Sequence, residues 1–302
     1  MIFPDFLKKG DKIAIVSPAS AVNPSYIDGA CHVLEQWGYI PVLGKHCKGK
    51  LGYFSGTAEE RINDFKEALF NPDIKAILCG RGGYGTIHLA EHISTDDIRS
   101  NPKWLIGFSD ISVLHAMYNC SGVASIHASM AKHLSLFGEN DNNNRILHDI
   151  LEGNLPSYNI PSHQLNKCGT AAGMIVGGNM AVLNGLTGTK FNLFKPDTIL
   201  FIEDIGEPIY KVERMLYNLK LSGVLPQLKG LIVGHFTNHE EPDSNGETMY
   251  DMINRMVSSY KYPVAYNFPI GHIDTNTPII ESSIVTLNVE KHFTSLSFAT
   301  SL

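Results

Sequence analysis

Three positions in this 302-residue chain carry side chains that perform acyl transfer when brought together: Ser109, Glu203 and His272. Ser109 lies in Gly107-Phe108-Ser109-Asp110, at the end of the apolar run Trp104–Phe108 and before a helix-like stretch that reaches Tyr118. A serine on a sharp strand-to-helix turn has its hydroxyl lifted clear of the sheet, beside backbone amides that favour developing negative charge. Glu203 ends the strand-like run Thr198–Glu203 and is followed by Asp204. Proteins of alternating strands and helices place their sites at such strand ends. His272 follows Phe268-Pro269-Ile270-Gly271, whose stiff residues restrain it, and precedes Asp274 and Asn276. A serine hydroxyl is a poor nucleophile until a base takes its proton. The imidazole that does so needs an acceptor on its other nitrogen, which fixes the tautomer and balances the imidazolium. Ser109, His272 and Glu203 supply nucleophile, base and orienter. Taken singly, each has a plainer reading. Ser109 or Asp110 caps a helix, Glu203-Asp204 is a cap or surface turn (as a pair it also suits metal binding or acid–base work), and His272 is structural.

Two other patterns compete. Gly80-Arg81-Gly82-Gly83-Tyr84-Gly85 matches the dinucleotide fingerprint G-x-G-x-x-G and follows the strand-like run Ile74–Cys79. Two strand-like runs precede it, however, whereas the fingerprint usually opens its domain. The acid expected to bind ribose is Asp110, directly after Ser109. The same loop serves as a tight turn needing glycine at positive φ, or as a backbone N–H cradle for an anion or oxyanion. His88-Leu89-Ala90-Glu91-His92 spells H-x-x-E-H, which on a helix puts two histidines on one face for zinc. No third ligand is evident nearby, and 13 histidines make chance pairs common. A solvated helix face is the plainer reading.

Holding the three positions requires alternating strands and helices. Lys12–Ser17, Ile40–Leu43, Ile74–Cys79 and Trp104–Phe108 read as strands. Tyr26–Trp37 reads as a helix, as does the stretch to Phe70 that Thr57 and Glu60 open with a capping box. The rhythm predicts an α/β fold with a mostly parallel sheet covered by helices. The polar segments Asn140–Asn144 and Gly153–Lys167 suggest a first domain over residues 1–153 and a linker over 154–168. A second domain then occupies 169–302. Its strand-like runs are Gly173–Gly178, Thr198–Glu203, Gly230–Phe236, Pro263–Phe268 and Ser283–Asn288, with helices expected over Asn179–Leu186, Tyr210–Leu221 and Thr248–Tyr260.

Composition narrows the class further. Hydrophobic residues make up 43% and charged residues 18%, which excludes a disordered or collagen-like chain. The net charge of −6 and the absence of any Lys/Arg run longer than two argue against a nucleic-acid partner and against an anionic membrane surface. Five widely spaced cysteines without a C-x-x-C pair fit reduced thiols in a cytoplasmic protein. The opening Met1-Ile2-Phe3-Pro4-Asp5 lacks the basic-then-apolar pattern of a secretory signal, and the longest apolar runs are too short to span a bilayer.

A run of motifs then becomes recognisable. They are Lys8–Pro18 (KKGDKIAIVSP), Gly80–Gly85 (GRGGYG), Ile106–Asp110 (IGFSD), Gly177–Leu183 (GGNMAVL) with Leu186–Thr189 (LTGT), Phe201–Asp204 (FIED), Val212–Leu216 (VERML), Gly230–Phe236 (GLIVGHF) and Gly271–Asn276 (GHIDTN). In this order and spacing the chain resembles the serine LD-carboxypeptidases, which include murein tetrapeptide LD-carboxypeptidases and microcin C self-immunity peptidases. The resemblance implies Ser109 as nucleophile, Glu203 as orienter and His272 as general base, with Gly83 and Asp110 supplying oxyanion-hole N–H groups. It implies a parallel α/β sandwich followed by a smaller, mixed, β-rich domain, with the site between them, and a homodimer. It implies no metal and no organic cofactor. The substrate it implies is a small murein tetrapeptide-like peptide that loses a C-terminal D-amino acid. Where relatives carry a Pro-Leu-Gly-like turn, this chain has Ile279-Ile280-Glu281-Ser282. Three rival readings remain. An immunity-type peptidase cleaves an aminoacyl-nucleotide-like amide and needs an aromatic platform. Trp37 and Trp104 are the only tryptophans, and both fall in expected secondary structure of the first domain. A non-catalytic small-ligand binding protein has no need of the three chemical turns. An NAD-binding enzyme rests on the glycine-rich loop alone.

Overall fold

The computed structural model describes residues 1–243 and 246–299. It divides into two compact units: Met1–Leu155 with Thr277–Ser282, and Pro156–Asn276 with Ser283–Leu302.

The first unit alternates β1 (Lys12–Val16), α1 (Pro24–Gln36), β2 (Ile40–Leu43), α2 (Ala58–Phe70), β3 (Ile74–Cys79), α3 (Thr95–Ser100), β4 (Trp104–Gly107), α4 (Ser112–Ser121), β5 (Ser125–His127), α5 (Ala131–Phe137) and α6 (Asn142–Leu151). The strands lie in the order β5-β4-β3-β1-β2 and are all parallel. Central strands of a covered parallel sheet are apolar on both faces. Accordingly β4 is buried throughout, and β1 and β3 are buried at all but one position each. The helices start where side chains cap them. Asn23 accepts from the Ser25 amide before Pro24 opens α1. Thr57 and Glu60 exchange hydrogen bonds of 3.1 and 2.8 Å at the head of α2.

The second unit holds β6 (Ser157–Pro161), β7 (Gly169–Asn179), α7 (Met180–Asn184), β8 (Thr198–Ile205), α8 (Ile209–Leu221), β9 (Gly230–Thr237), α9 (Met249–Val257) and β10 (Val264–Ala265). After β11 (Ile279–Glu281), which joins the first unit, come β12 (Ile284–Val289) and β13 (Phe293–Phe298). The sheet order is β10-β9-β8-β7-β12-β13-β6. It is parallel from β10 to β7 and antiparallel from β7 to β6. Both units are therefore α/β, the first almost wholly parallel and the second mixed.

Two expectations about boundaries need correction. Residues 154–168 are not a bare linker. They include β6, which pairs antiparallel with β13 from Ser157↔Ser297 to Pro161↔Phe293. Its partner lies more than 130 residues away, so local composition carried no trace of it. Nor does the second domain run unbroken to the C-terminus. Ile279–Glu281 pairs antiparallel with Ser125–His127 at the edge of the first sheet. Among the described residues no helix is long and apolar enough to cross a membrane.

Candidate active site

In the first unit, β4 delivers Ser109 to a short 3-10 turn, Ser109–Ile111, which runs into α4. Ser109 has a φ of 67°, a left-handed conformation that costs a non-glycine residue energy and persists only where surroundings enforce it. The enforcement is visible on two sides. A side chain at Gly82 would place its Cβ 2.8 Å from Ser109 Cβ, 2.9 Å from Oγ and 3.3 Å from the Asp110 amide nitrogen. The glycine-rich loop thus lies against the serine at backbone distance. Behind β4, the buried His115 bonds through Nε2 to the Gly107 carbonyl (2.9 Å) and through Nδ1 to Ser125 Oγ (2.8 Å). A carbonyl only accepts, so Nε2 carries the proton and the serine hydroxyl donates to Nδ1. Burial pushes His115 down to about 4, against the opposing Gly107 hydrogen bond, which keeps the ring neutral. Glu281 Oε1 lies 3.6 Å from Nδ1. His115 was not singled out from sequence. A histidine inside the apolar helix that follows Ser109 was the available signal.

The loop Gly80–Gly85 is itself clamped. Gly83 has a φ of 111°, and a Cβ there would lie 2.1 Å from Ser20 Oγ. Ser20 Oγ accepts from the Tyr84 amide at 3.1 Å, and the buried Asp110 carboxylate accepts from the Thr86 amide at 2.8 Å. Arg61, also buried, donates to the Pro18 and Gly85 carbonyls at 2.6 and 2.9 Å and pairs with His88 Nδ1 at 2.8 Å. Ser109, Asp110, Gly82 and Gly83 are thereby brought together.

In the second unit, Glu203 is fully buried near the end of β8. The register passes from Ile202↔Val233 to Asp204↔Phe236, so Glu203 alone faces Gly234 and His235 of β9. Such a bulge bends the strand and re-aims a side chain. Glu203 Oε2 lies 2.7 Å from His272 Nδ1. The histidine turn is held by Asn276 Oδ1, which accepts from the Gly271 amide at 2.9 Å. Gly271 packs so closely that a Cβ would lie 2.9 Å from Glu203 Cβ. Burial disfavours a charged His272. The hydrogen bond and charge of Glu203, with the charge of Asp204, outweigh it and leave the imidazole above its ordinary value. Asp204 faces away from that role. It accepts from Asn179 Nδ2 and from the amides of Ala181 and Ile205, while burial and the neighbouring Glu203 charge push it up to about 6.

The competing patterns fare differently. His88 sits in a single 3-10 turn, Thr86–Leu89, and Glu91 and His92 fall beyond it, so H-x-x-E-H presents no common helical face. Among the described residues no three His, Cys, Asp or Glu side chains gather as a metal site. The glycine-rich loop leads into that same short turn rather than an α-helix, so it lacks the helix N-terminus on which a dinucleotide pyrophosphate rests.

A serine in an enforced left-handed turn under a glycine-rich loop, and a histidine bound to a buried carboxylate, are components of hydrolases that act through an acyl-serine. The sequence carries the family with it. Residues 13–128 match the LD-carboxypeptidase N-terminal domain and residues 172–287 the LD-carboxypeptidase C-terminal domain, so the chain belongs to the LD-carboxypeptidase family. It is 33% identical over 278 residues to a probable murein peptide carboxypeptidase of Bacillus subtilis, covering 89% of this chain and 86% of that one. It is 30% identical over 274 residues to a murein tetrapeptide carboxypeptidase of Pseudomonas aeruginosa, covering 86% and 88%. The crystal structure of a muramoyltetrapeptide carboxypeptidase from Oxalobacter formigenes superposes with a TM-score of 0.87 at 28% identity, covering 95% of this chain and 98% of that one.

Proposed function

We propose that the protein is a serine peptidase that hydrolyses the bond between an L-configured residue and a C-terminal D-amino acid, on a substrate like a released murein tetrapeptide. The observation that carries this reading is the 2.7 Å bond from His272 Nδ1 to the buried Glu203 carboxylate. It assigns the Nδ1 proton to the carboxylate side and makes Nε2 the basic nitrogen. In the proposed mechanism Nε2 takes the hydroxyl proton as Ser109 Oγ attacks the scissile carbonyl. The Gly83 and Asp110 amides stabilise the oxyanion, each contributing roughly 3–4 kcal/mol at the transition state. His272 then gives its proton to the leaving amine as the C–N bond breaks. A water molecule, deprotonated by the same nitrogen, releases the acyl group and restores Ser109.

The names of the relatives support a murein-type substrate. So does the burial of both tryptophans. Trp104 is enclosed in β4, and Trp37 is stacked 4.7 Å from the His148 ring, so neither offers a face to a nucleobase. A cytoplasmic homodimer belongs to the same proposal, and light scattering of purified protein tests its dimeric part. The chemistry is tested by incubating the protein with a murein tetrapeptide ending in D-alanine and, in parallel, an aminoacyl-nucleotide amide, following both by mass spectrometry. Release of D-alanine, lost by several orders of magnitude in Ser109→Ala, is expected. Parent-like turnover by Ser109→Ala, or cleavage of the nucleotide amide alone, contradicts the proposal.

A further inference from the structure

An enzyme that removes one terminal residue must recognise that residue's free carboxylate. With a single residue leaving, the carboxylate lies within about one residue's span, ~3.8 Å, of the scissile bond. Its counter-charge must then come from a segment beside Ser109. The glycine-rich loop is such a segment, and it carries one cation, Arg81, next to the Gly82 that packs on Ser109. Arg81 is half-buried, and no carboxylate among the described residues comes within 4 Å of it. Its guanidinium makes one long hydrogen bond, 3.4 Å from Nη1 to the Ala21 carbonyl. A guanidinium has five N–H donors in a fork that matches a carboxylate. Ala21 in turn donates its amide to the Tyr53 carbonyl, which seats Tyr53 beside the loop. The Tyr53 side chain is largely exposed, and its hydroxyl would lie 3.1 Å from a Cβ at Gly83. That hydroxyl makes no hydrogen bond among the described residues. Arg214, the other cation carried by a recognised motif, is a poor candidate. It is exposed on α8 with its guanidinium 5.6 Å over the Tyr210 ring.

We propose that Arg81, assisted by the Tyr53 hydroxyl, binds the terminal carboxylate of the substrate's leaving D-amino acid. The proposal rests on the hydrolase reading above, deepens it, and accounts for a half-buried cation with no carboxylate within 4 Å among the described residues. Charge-assisted hydrogen bonds of this kind set a preference of about 10- to 100-fold for a free acid over the corresponding amide.

The test is a binding measurement, so that it does not depend on turnover. Ser109→Ala protein is titrated calorimetrically with a D-alanine-terminated tetrapeptide and with its C-terminal carboxamide. The acid should bind at least tenfold more tightly. Adding Arg81→Gln should bring the acid-to-amide ratio to within about threefold of one. Arg81→Lys, which keeps the charge but not the fork, should retain part of the preference, and Tyr53→Phe should lower it several-fold. Should Arg81→Gln fail to fold by circular dichroism, Arg81→Lys and Tyr53→Phe decide the matter. No acid preference in Ser109→Ala, or an undiminished preference in the Arg81 variants, overturns the proposal. Failure of the unaltered protein to cleave the tetrapeptide refutes the hydrolase reading instead, and an Arg81-dependent acid preference would still stand.

Discussion

Replacing Glu203 with glutamine isolates the contribution of one buried charge. The side chains are nearly isosteric, so the tight packing against Gly271 survives. Two arrangements are then open. In one, the glutamine carbonyl accepts from His272 Nδ1 without a charge to balance the imidazolium. In the other, the amide donates to Nδ1, the ring proton moves to Nε2, and the nitrogen that should act as base is blocked. An ion pair with charge centres about 4 Å apart is worth roughly 4 kcal/mol at an effective dielectric near 20. In rate that is ~10³. Adding the tautomer penalty brings the expected loss of kcat to about 10³–10⁴. KM should change little, because Glu203 is fully buried behind the ring. The pH dependence gives an independent sign. His272 must be neutral to act as base, and Glu203 holds its pKa above the ordinary value against the effect of burial. The acid limb of kcat/KM should therefore lie above about 6.5 in the parent. It should move to lower pH in Glu203→Gln, where burial acts with less opposition. Stability follows the same linkage. A raised histidine pKa contributes stability below about 6.5, lost as pH rises through the folded value. The stability gap between parent and variant should thus be wider at pH 5 than at pH 9. The assay is D-alanine release from a tetrapeptide across that range, beside urea unfolding at both ends. A loss of less than tenfold in kcat, or an acid limb displaced upward, refutes the reasoning.

Three further outcomes follow from the first unit. Gly83→Ala must leave a φ of 111° and avoid a Cβ 2.1 Å from Ser20 Oγ, so it should displace the proposed oxyanion donor and lower kcat by about 10²–10³. Kinetics on the tetrapeptide check this. Arg61→Met abandons hydrogen bonds to the Pro18 and Gly85 carbonyls and to His88, and should destabilise by roughly 3 kcal/mol, read from urea unfolding. Thr57→Ala removes one half of the capping box on α2 and should cost about 1 kcal/mol with no loss of turnover, measured by the same unfolding experiment.

The parts of the fold legible in the sequence are those where local chemistry and tertiary environment agree. Ile74–Cys79 is an apolar run because both faces of its parallel strand are covered, and Thr57 with Glu60 spells the cap that α2 uses. The elements that escaped are settled by distant partners. Ser125–His127 is three residues long with polar side chains on either side of Ile126, yet all three residues are buried, since β4 and β11 flank the strand and Ser125 Oγ bonds His115. Asn140–Asn144 is a polar segment that suggests the end of a domain, but Asp141 accepts from the amides of Asn143 and Asn144 and starts the helix Asn142–Leu151 there. β6 and β11 find partners that composition cannot name. At the site, residue types and motif order marked Ser109, Glu203 and His272, and the structure adds the bond from His272 to Glu203. Neither the left-handed Ser109 nor the β9 bulge opposite Glu203 has a signature in the local residue pattern, because each is imposed by neighbours.

The central claim is that His272 activates Ser109. Its most direct test treats the folded protein with a fluorophosphonate and maps the adduct by peptide mass spectrometry, for the parent and for His272→Ala. The account predicts one adduct, on Ser109, whose formation slows at least a hundredfold in His272→Ala. An adduct elsewhere, or labelling of Ser109 at equal rates in both proteins, contradicts it.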